Sequence, residues 1–540
     1  MIVPSVTRCA ARSSPSAHHD SKMDVLPDEL WQNIFCRLAG FEQRLNLLRP
    51  PAPEFGEVLR APFRIAATCR RWQALAINSP ELWACVHARD DCAYDDTYLR
   101  TCMERSRQHL LDVWIHSSVQ YRQSSLEGIY SDGNMENADD GAGNDDNKDD
   151  DEKADTPVMF FKWLNLLQQS AHRWRRIRID FPRPTTIDKF TFFKKSMPHL
   201  EELVLSTSST VFGDYMVNTE WNSYLNPQHL YFQGCPNLRV LASHAAVMVP
   251  AVELSKLEYL DFSLRGISND TPLWTALTMT PALKELNIYY EYWEPYNDPP
   301  LLPSPPHLPA LRSLGLLGYV QYEQDLSKYL SMPNLDTLTV SIEPLQYLSD
   351  TFISIGKTVR TIVITTVENG RSGGVFKRSD AEALDHLQHV DTLELRDIPD
   401  KMIRDDDSEQ FFASLAGIGE YSDAALPKWG RTLRKIVLRD CTINLASCGS
   451  LARLVEMRTA AVRDNAGDAF ELQIVNTRFR KSKQDNVPEL LGSVMHLFDS
   501  SIIEVDSHAE EEERQQGDSG EVTVAPPQVD PNSVDDGCTC

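Results

Sequence analysis

At 540 residues, with 42% hydrophobic and 9% aromatic content, the chain can bury a sizeable core and is long enough for several folded units or one extended repeat array. Its 78 acidic and 53 basic side chains give a net charge of −25, of which residues 132–155 hold −9 and residues 504–540 hold −10, leaving only about −6 for the rest. That balance offers no basic stripe for nucleic acid, and no apolar run reaches the ~18 residues of a membrane-spanning helix.

The eleven cysteines are scattered singly, without a C-x-x-C pair, as expected of reduced thiols in the cytoplasm or nucleus. Cys69, Cys102 and Cys441 fall on apolar periodic positions, where small buried hydrophobes are expected. Residues 1–22 are rich in Ser, Ala and Arg but lack the apolar core of a secretory signal, and are expected to form a disordered leader. The next segment, 23–90, reads as helical. In "LPDELWQNIF" (26–35), Pro27 suits the first helical position, and Asp28 and Glu29 complement the positive end of the helix dipole. Leu30, Ile34 and Leu38 recur every four residues beside Trp31 and Phe35, an apolar face wider than a short helix needs for its own packing. "APFRIAATCRRWQALAINSPELW" (61–83) supplies a second helical run and, after Ser79, a last short turn carrying Leu82 and Trp83.

Residues 91–119 open a repeat region with a helix-like segment at 96–107 and the strand-like "LLDVWI" (110–115). The acidic, glycine-rich stretch 120–156 is too polar to offset chain entropy and is expected to be a disordered insertion, as is the tail 504–540. Between them, in 157–503, the spacing L-x-x-L-x-L recurs ten times, with other apolar residues allowed: "WRRIRI" (174), "LEELVL" (200), "LRVLAS" (238), "LEYLDF" (257), "LKELNI" (283), "LRSLGL" (311), "LDTLTV" (335), "VRTIVI" (359), "VDTLEL" (390) and "LRKIVL" (433). Steps between copies run from 19 to 43 residues. The array resembles an irregular leucine-rich-repeat solenoid, which implies an α/β fold with a parallel β-sheet on its concave face. An ordinary α/β sheet with alternating helices predicts the same parallel strands.

In the segment 26–83, L-P-x-E-L-x-x-x-I-F-x-x-L, then C-R-R-W-x-x-L-A, then S-P-x-L-W resemble an F-box, with a stretched middle at about 40–62. The resemblance implies a helical trio that docks on the Skp adaptor of an SCF ubiquitin ligase and, through it, on a cullin-RING assembly. It places Leu26, Pro27, Ile34, Leu38, Cys69, Arg70, Trp72, Leu82 and Trp83 against the adaptor, and leaves Leu30, Phe35 and Leu75 to the module's own core. An F-box followed by a solenoid resembles a substrate receptor that holds a protein target for ubiquitin transfer; the alternative is a repeat scaffold that binds partners without promoting transfer.

No catalytic, cofactor-binding or metal-binding residue is expected. "SIGKT" (354–358) lacks the earlier glycine of a phosphate loop, and no H-E-x-x-H, G-x-S-x-G or paired metal-ligand spacing occurs. The C-terminal "CTC" is similar to a geranylgeranylation end but lacks nearby polybasic support, and "RFRKSK" (478–483) reads as a solvated strand end rather than a nuclear signal. Within the repeats, the fifth and seventh positions point outward and are chemically mixed: Arg178, Asp261, Asn287 and Glu394 in one row, Asp180, Tyr289, Arg396 and Arg439 in the other. Asn287, Tyr289, Tyr292, Trp293 and Tyr296 form an aromatic-rich candidate for target binding.

Overall fold

The computed structural model describes residues 26–38, 61–89, 96–116, 158–181, 196–207, 234–243, 254–265, 277–292, 305–318, 330–341, 345–366, 383–384, 386–398, 432–444 and 470–480. The expected leader, the acidic insertion and the acidic tail lie outside these residues, as do Trp293 and Tyr296.

Among the described residues three helices come first: α1 (Asp28–Leu38), α2 (Ala61–Thr68) and α3 (Arg70–Asn78), followed by a 3-10 turn at Pro80–Trp83. The single run expected over 61–78 is broken at Cys69, whose extended backbone and Sγ, accepting from Trp72 N at 3.5 Å, cap α3. Cys69 is therefore an exposed cap and not the buried hydrophobe its periodicity suggested, whereas Cys102 and Cys441 are buried as expected. One face of α1 carries Trp31 and Phe35 into a ring cluster with Trp72, at centroid distances of 4.8 and 5.0 Å to that indole. The three rings pack together, with Trp31 and Phe35 buried and Trp72 partly so.

Thirteen strands form one sheet in sequence order, every adjacent pair parallel. They are β1 (Cys85–Arg89), β2 (Leu111–His116), β3 (Trp174–Phe181), β4 (Glu202–Thr207), β5 (Val240–Ser243), β6 (Tyr259–Arg265), β7 (Glu285–Tyr292), β8 (Ser313–Gly318), β9 (Thr337–Ser341), β10 (Thr361–Thr365), β11 (Thr392–Arg396), β12 (Lys435–Arg439) and β14 (Glu471–Val475), the short β13 (Thr442–Asn444) pairing separately with β15 (Arg478–Arg480). A long parallel sheet in which each strand meets only its sequence neighbours is a repeat solenoid of leucine-rich type.

Each of the ten motif copies forms one of the strands β3–β12. Their first, fourth and sixth positions are buried in every copy, down to the serine at the sixth position of the degraded "LRVLAS". The fourth positions stack in register across the sheet, for example Leu286, Leu314, Leu338 and Ile362, so that each repeat's leucine closes the gap left by its neighbour's. The second positions form a further ladder. Glu258 N–H donates to Arg239 C=O, Lys284 to Glu258, and Arg312 to Lys284. Their side chains largely alternate in sign, with Arg239 and Lys284 both on Glu258 at 2.5 and 2.8 Å.

The first strand starts upstream of residue 91, where the repeats were expected to begin. Trp83 stands three residues before Val86, in the place that the leading leucine holds in later copies, and is fully buried. It joins the two parts of the chain: Phe63 of α2 meets its ring at 5.0 Å, and Arg105, in α4 (Asp96–Arg105), lies 4.4 Å from its centroid. Among the described residues a single hydrophobic cluster runs from Trp31 to Cys441.

Candidate functional site

Two surfaces stand out, one on the helices and one on the outer face of the sheet. On α1, Leu30 is 47% and Ile34 37% exposed, and with exposed Pro27 they follow the three- and four-residue spacing of one helical stripe. The stripe is held in place from behind. Arg71 of α3 donates to Asp28 Oδ1 through Nε and Nη2, at 3.2 and 2.7 Å, and to the Leu26 carbonyl at 2.7 Å, fixing the Leu-Pro entry to α1. Leu26 is half-buried, Cys69 and Arg70 are exposed, and the Leu38 side chain lies outside the described residues.

Three expectations for this module change. Leu82 and Trp83 face the chain's own core, because the 3-10 turn inserts them beneath the helices, with Trp83 Nε1 donating to the Ala76 carbonyl at 2.7 Å. Trp72 is only partly exposed, its ring being engaged with Trp31 and Phe35. Leu30, assigned to the core, is on the outside, while Phe35 and Leu75 are buried as expected.

On the sheet, the outward positions of β2–β4 converge on one carboxylate. Asp180 accepts from Trp114 Nε1 at 2.8 Å and Arg178 Nε at 2.8 Å, and from the Ser206 hydroxyl, while His116 Nδ1 lies 3.0 Å away. His87 stacks on Trp114 at 4.4 Å. Burial alone would raise the Asp180 carboxyl, but the hydrogen bond with His116, the Arg178 charge and the bonds from Ser206 and Trp114 outweigh it and hold it at about 2. Every acceptor site so occupied makes this a fixed ionic post, not a proton carrier.

Further along, Asn287 Nδ2 donates to the Tyr259 hydroxyl at 3.0 Å and approaches Glu285 Oε1 at 3.3 Å, and Tyr259 donates to Asp261 Oδ2 at 3.1 Å. Burial pushes the Glu285 carboxyl up, the Asn287 amide opposes the rise, Asp261 adds to it, and Arg396 of β11 pulls the other way. Gly315 makes room for this group, since a Cβ there would lie 3.0 Å from Asn287 Cγ and overlap its Oδ1. Of the aromatic-rich candidate, Asn287 and Tyr289 are on the outer face of β7, Tyr292 ends that strand with its side chain outside the described residues, and the described part is thus mainly polar.

Burial raises the thiols of Cys36, Cys235 and Cys441 to about 11 and of Cys102 to about 12, far from thiolate formation. Among the described residues no group of three His, Cys, Asp or Glu is placed to hold a metal, and no helix is long and apolar enough to cross a membrane. Gly356 of "SIGKT" follows the helix α5 (Ser349–Ile355), and a Cβ there would overlap the His386 carbonyl, so this glycine serves close packing against the next repeat.

No protein-family model matches the chain, and no curated protein matches it. Among solved structures it is similar to an internalin from Listeria monocytogenes, at 12% identity and a TM-score of 0.22, over 62% of this chain and 87% of that one. The leucine-rich architecture rests on the strand order and register of this chain.

Proposed function

We propose that the chain is the substrate-recognition subunit of an SCF-type ubiquitin ligase, docking on the Skp adaptor with its helices and holding a protein target on the outer face of the sheet. The observation that carries this reading is the stripe of Pro27, Leu30 and Ile34: apolar, exposed and braced by Arg71, while the opposite face of the same helix fills the core. The chain contributes no bond-making residue; it raises the local concentration of the target near the charged enzyme, an effect worth several powers of ten. The cytoplasm or nucleus is where such a ligase would act.

The test is co-purification of the full-length chain with a Skp adaptor and cullin. About half of the Leu30 side chain and a third of Ile34 remain to be covered, worth about 1 kcal/mol each at full burial by a partner. The double variant Leu30→Ser/Ile34→Ser is expected to bind the adaptor ~30-fold more weakly. A wild-type chain that captures no adaptor overturns the reading. Capture of adaptor without cullin, or a target whose lifetime is unchanged on deletion, favours a repeat scaffold that binds partners without promoting transfer.

A further inference from the structure

We propose that the outer face of β11 and β12 is a docking site for an acidic segment of a partner protein, in which Arg396 and Arg439 together receive one Asp or Glu carboxylate. The inference rests on the sheet face being the target-holding surface and names the chemistry of the target.

Arg396 and Arg439 are direct partners in the parallel register, so two cations stand side by side on adjacent strands. Like charges so placed repel unless an anion lies between them. Their flanking register partners are Thr365 on β10 and Val475 on β14, neither of which carries charge. The chain supplies one anion, Glu394, two residues back on β11. Both arginines use the same oxygen: Arg396 Nε and Nη2 lie 2.9 and 2.7 Å from Oε1, and Arg439 Nε lies 2.9 Å from it. Glu394 is itself flanked in register by Val363 and Val437, which are buried, so the carboxylate sits low between aliphatic neighbours. Its side chain is 12% exposed against 40% and 38% for the arginines, so the part of the triad that meets solvent is guanidinium.

Two arginines on one carboxylate leave one positive charge, and among the described residues Arg439 Nη1 and Nη2 and Arg396 Nη1 have no protein acceptor. Nη1 and Nη2 of Arg439 form one planar fork of the kind that binds a carboxylate with two parallel bonds. The surrounding charges favour a monoanion. The exposed Asp397 and Asp440 follow the two strands and already offset much of the arginine charge, so the site suits a monoanion rather than a dianionic phosphoryl group. The occupant that fits is an extended segment of a protein partner bearing Asp or Glu, with Val363, Val437 and Thr365 beneath it.

The test uses the full-length chain and three fluorescein-labelled ten-residue peptides that alternate glycine with glutamate, phosphoserine or lysine, read by fluorescence anisotropy at low salt. The glutamate peptide is expected to bind despite the chain's net charge of −25, and Arg396→Gln/Arg439→Gln to weaken it at least tenfold. Glu394→Gln is expected to tighten binding several-fold, because it removes the built-in competitor and leaves both arginines in place. No binding of the glutamate peptide by the wild type, unchanged binding by the double glutamine variant, weaker binding by Glu394→Gln, or a phosphoserine peptide bound more than tenfold tighter would each overturn the proposal. Adaptor capture by the wild-type chain separates the two readings: if the wild type captures the adaptor but does not bind the glutamate peptide, only the acidic-segment site falls.

Discussion

Replacing Asp180 with Asn tests whether the polar post on β2–β4 holds the early repeats together. The carboxylate is almost fully buried and accepts from Trp114, Arg178 and Ser206 with His116 in contact, and its pKa is lowered from 3.8 to about 2. At ~1.4 kcal/mol per unit, that shift contributes about 2 kcal/mol at neutral pH. The sign follows from the depressed folded value: the contribution is present above about pH 4 and is lost as pH falls through about 2. Asp180→Asn removes it at every pH, and because Arg178, itself 9% exposed, then loses its buried counter-charge, the total cost at pH 7 is expected at about 3–5 kcal/mol. The assay is urea unfolding of wild type and variant at pH 7, 4 and 2.5, with hydrogen exchange on β2–β4 to locate the loss. The difference between the two proteins should shrink towards pH 2.5. A difference that is constant with pH, or a variant as stable as wild type at pH 7, refutes the account of the post as an ionised hub.

Leu314, fully buried between its register partners Leu286 and Leu338, should cost about 2–5 kcal/mol as Leu314→Ala, with the loss of exchange protection confined to β7–β9 because each repeat contacts only its neighbours. Gly315→Ala forces Asn287 off Tyr259, an expected loss of about 1–2 kcal/mol by thermal unfolding, while Gly315→Ala combined with Asn287→Ser should recover much of it. Among the described thiols, iodoacetamide at pH 8 should modify exposed Cys69 in the folded chain, and Cys102, Cys235 and Cys441 only after urea; peptide mass spectrometry reads the result, and equal labelling of Cys102 and Cys69 would contradict the burial described here.

The repeat strands were legible because L-x-x-L-x-L is a local signal: two alternating apolar residues fix a strand face, and the leading one fixes its entry. Where the leading residue departs from type, the strand was missed. Ahead of β1 the leading place is held by Trp83, in the 3-10 turn, followed by Val86 and Ala88, and the sequence carries Ala469 three residues before Leu472 of β14. On α1 the four-residue period could not say which flank faces inward, since Leu30 and Ile34 are as apolar as Trp31 and Phe35; the choice is made by Trp72, which meets the aromatic pair from α3. Polar sites were the least visible. Arg178 and Asp180 were readable as outward, but Trp114 and His116 reach them from 66 and 64 residues away. Likewise, Arg396 and Arg439 become neighbours only once β11 and β12 are aligned.

Trp83 is shared by the helices and the first strand, so nothing between them can serve as a swivel. Twelve strand-to-strand steps at ~4.8 Å put the helical end about 58 Å from the last strand, measured along the sheet. The chain is in that sense a ruler: its length is written in the number of repeats, and inserting or deleting one repeat would move the last strand by a single graduation.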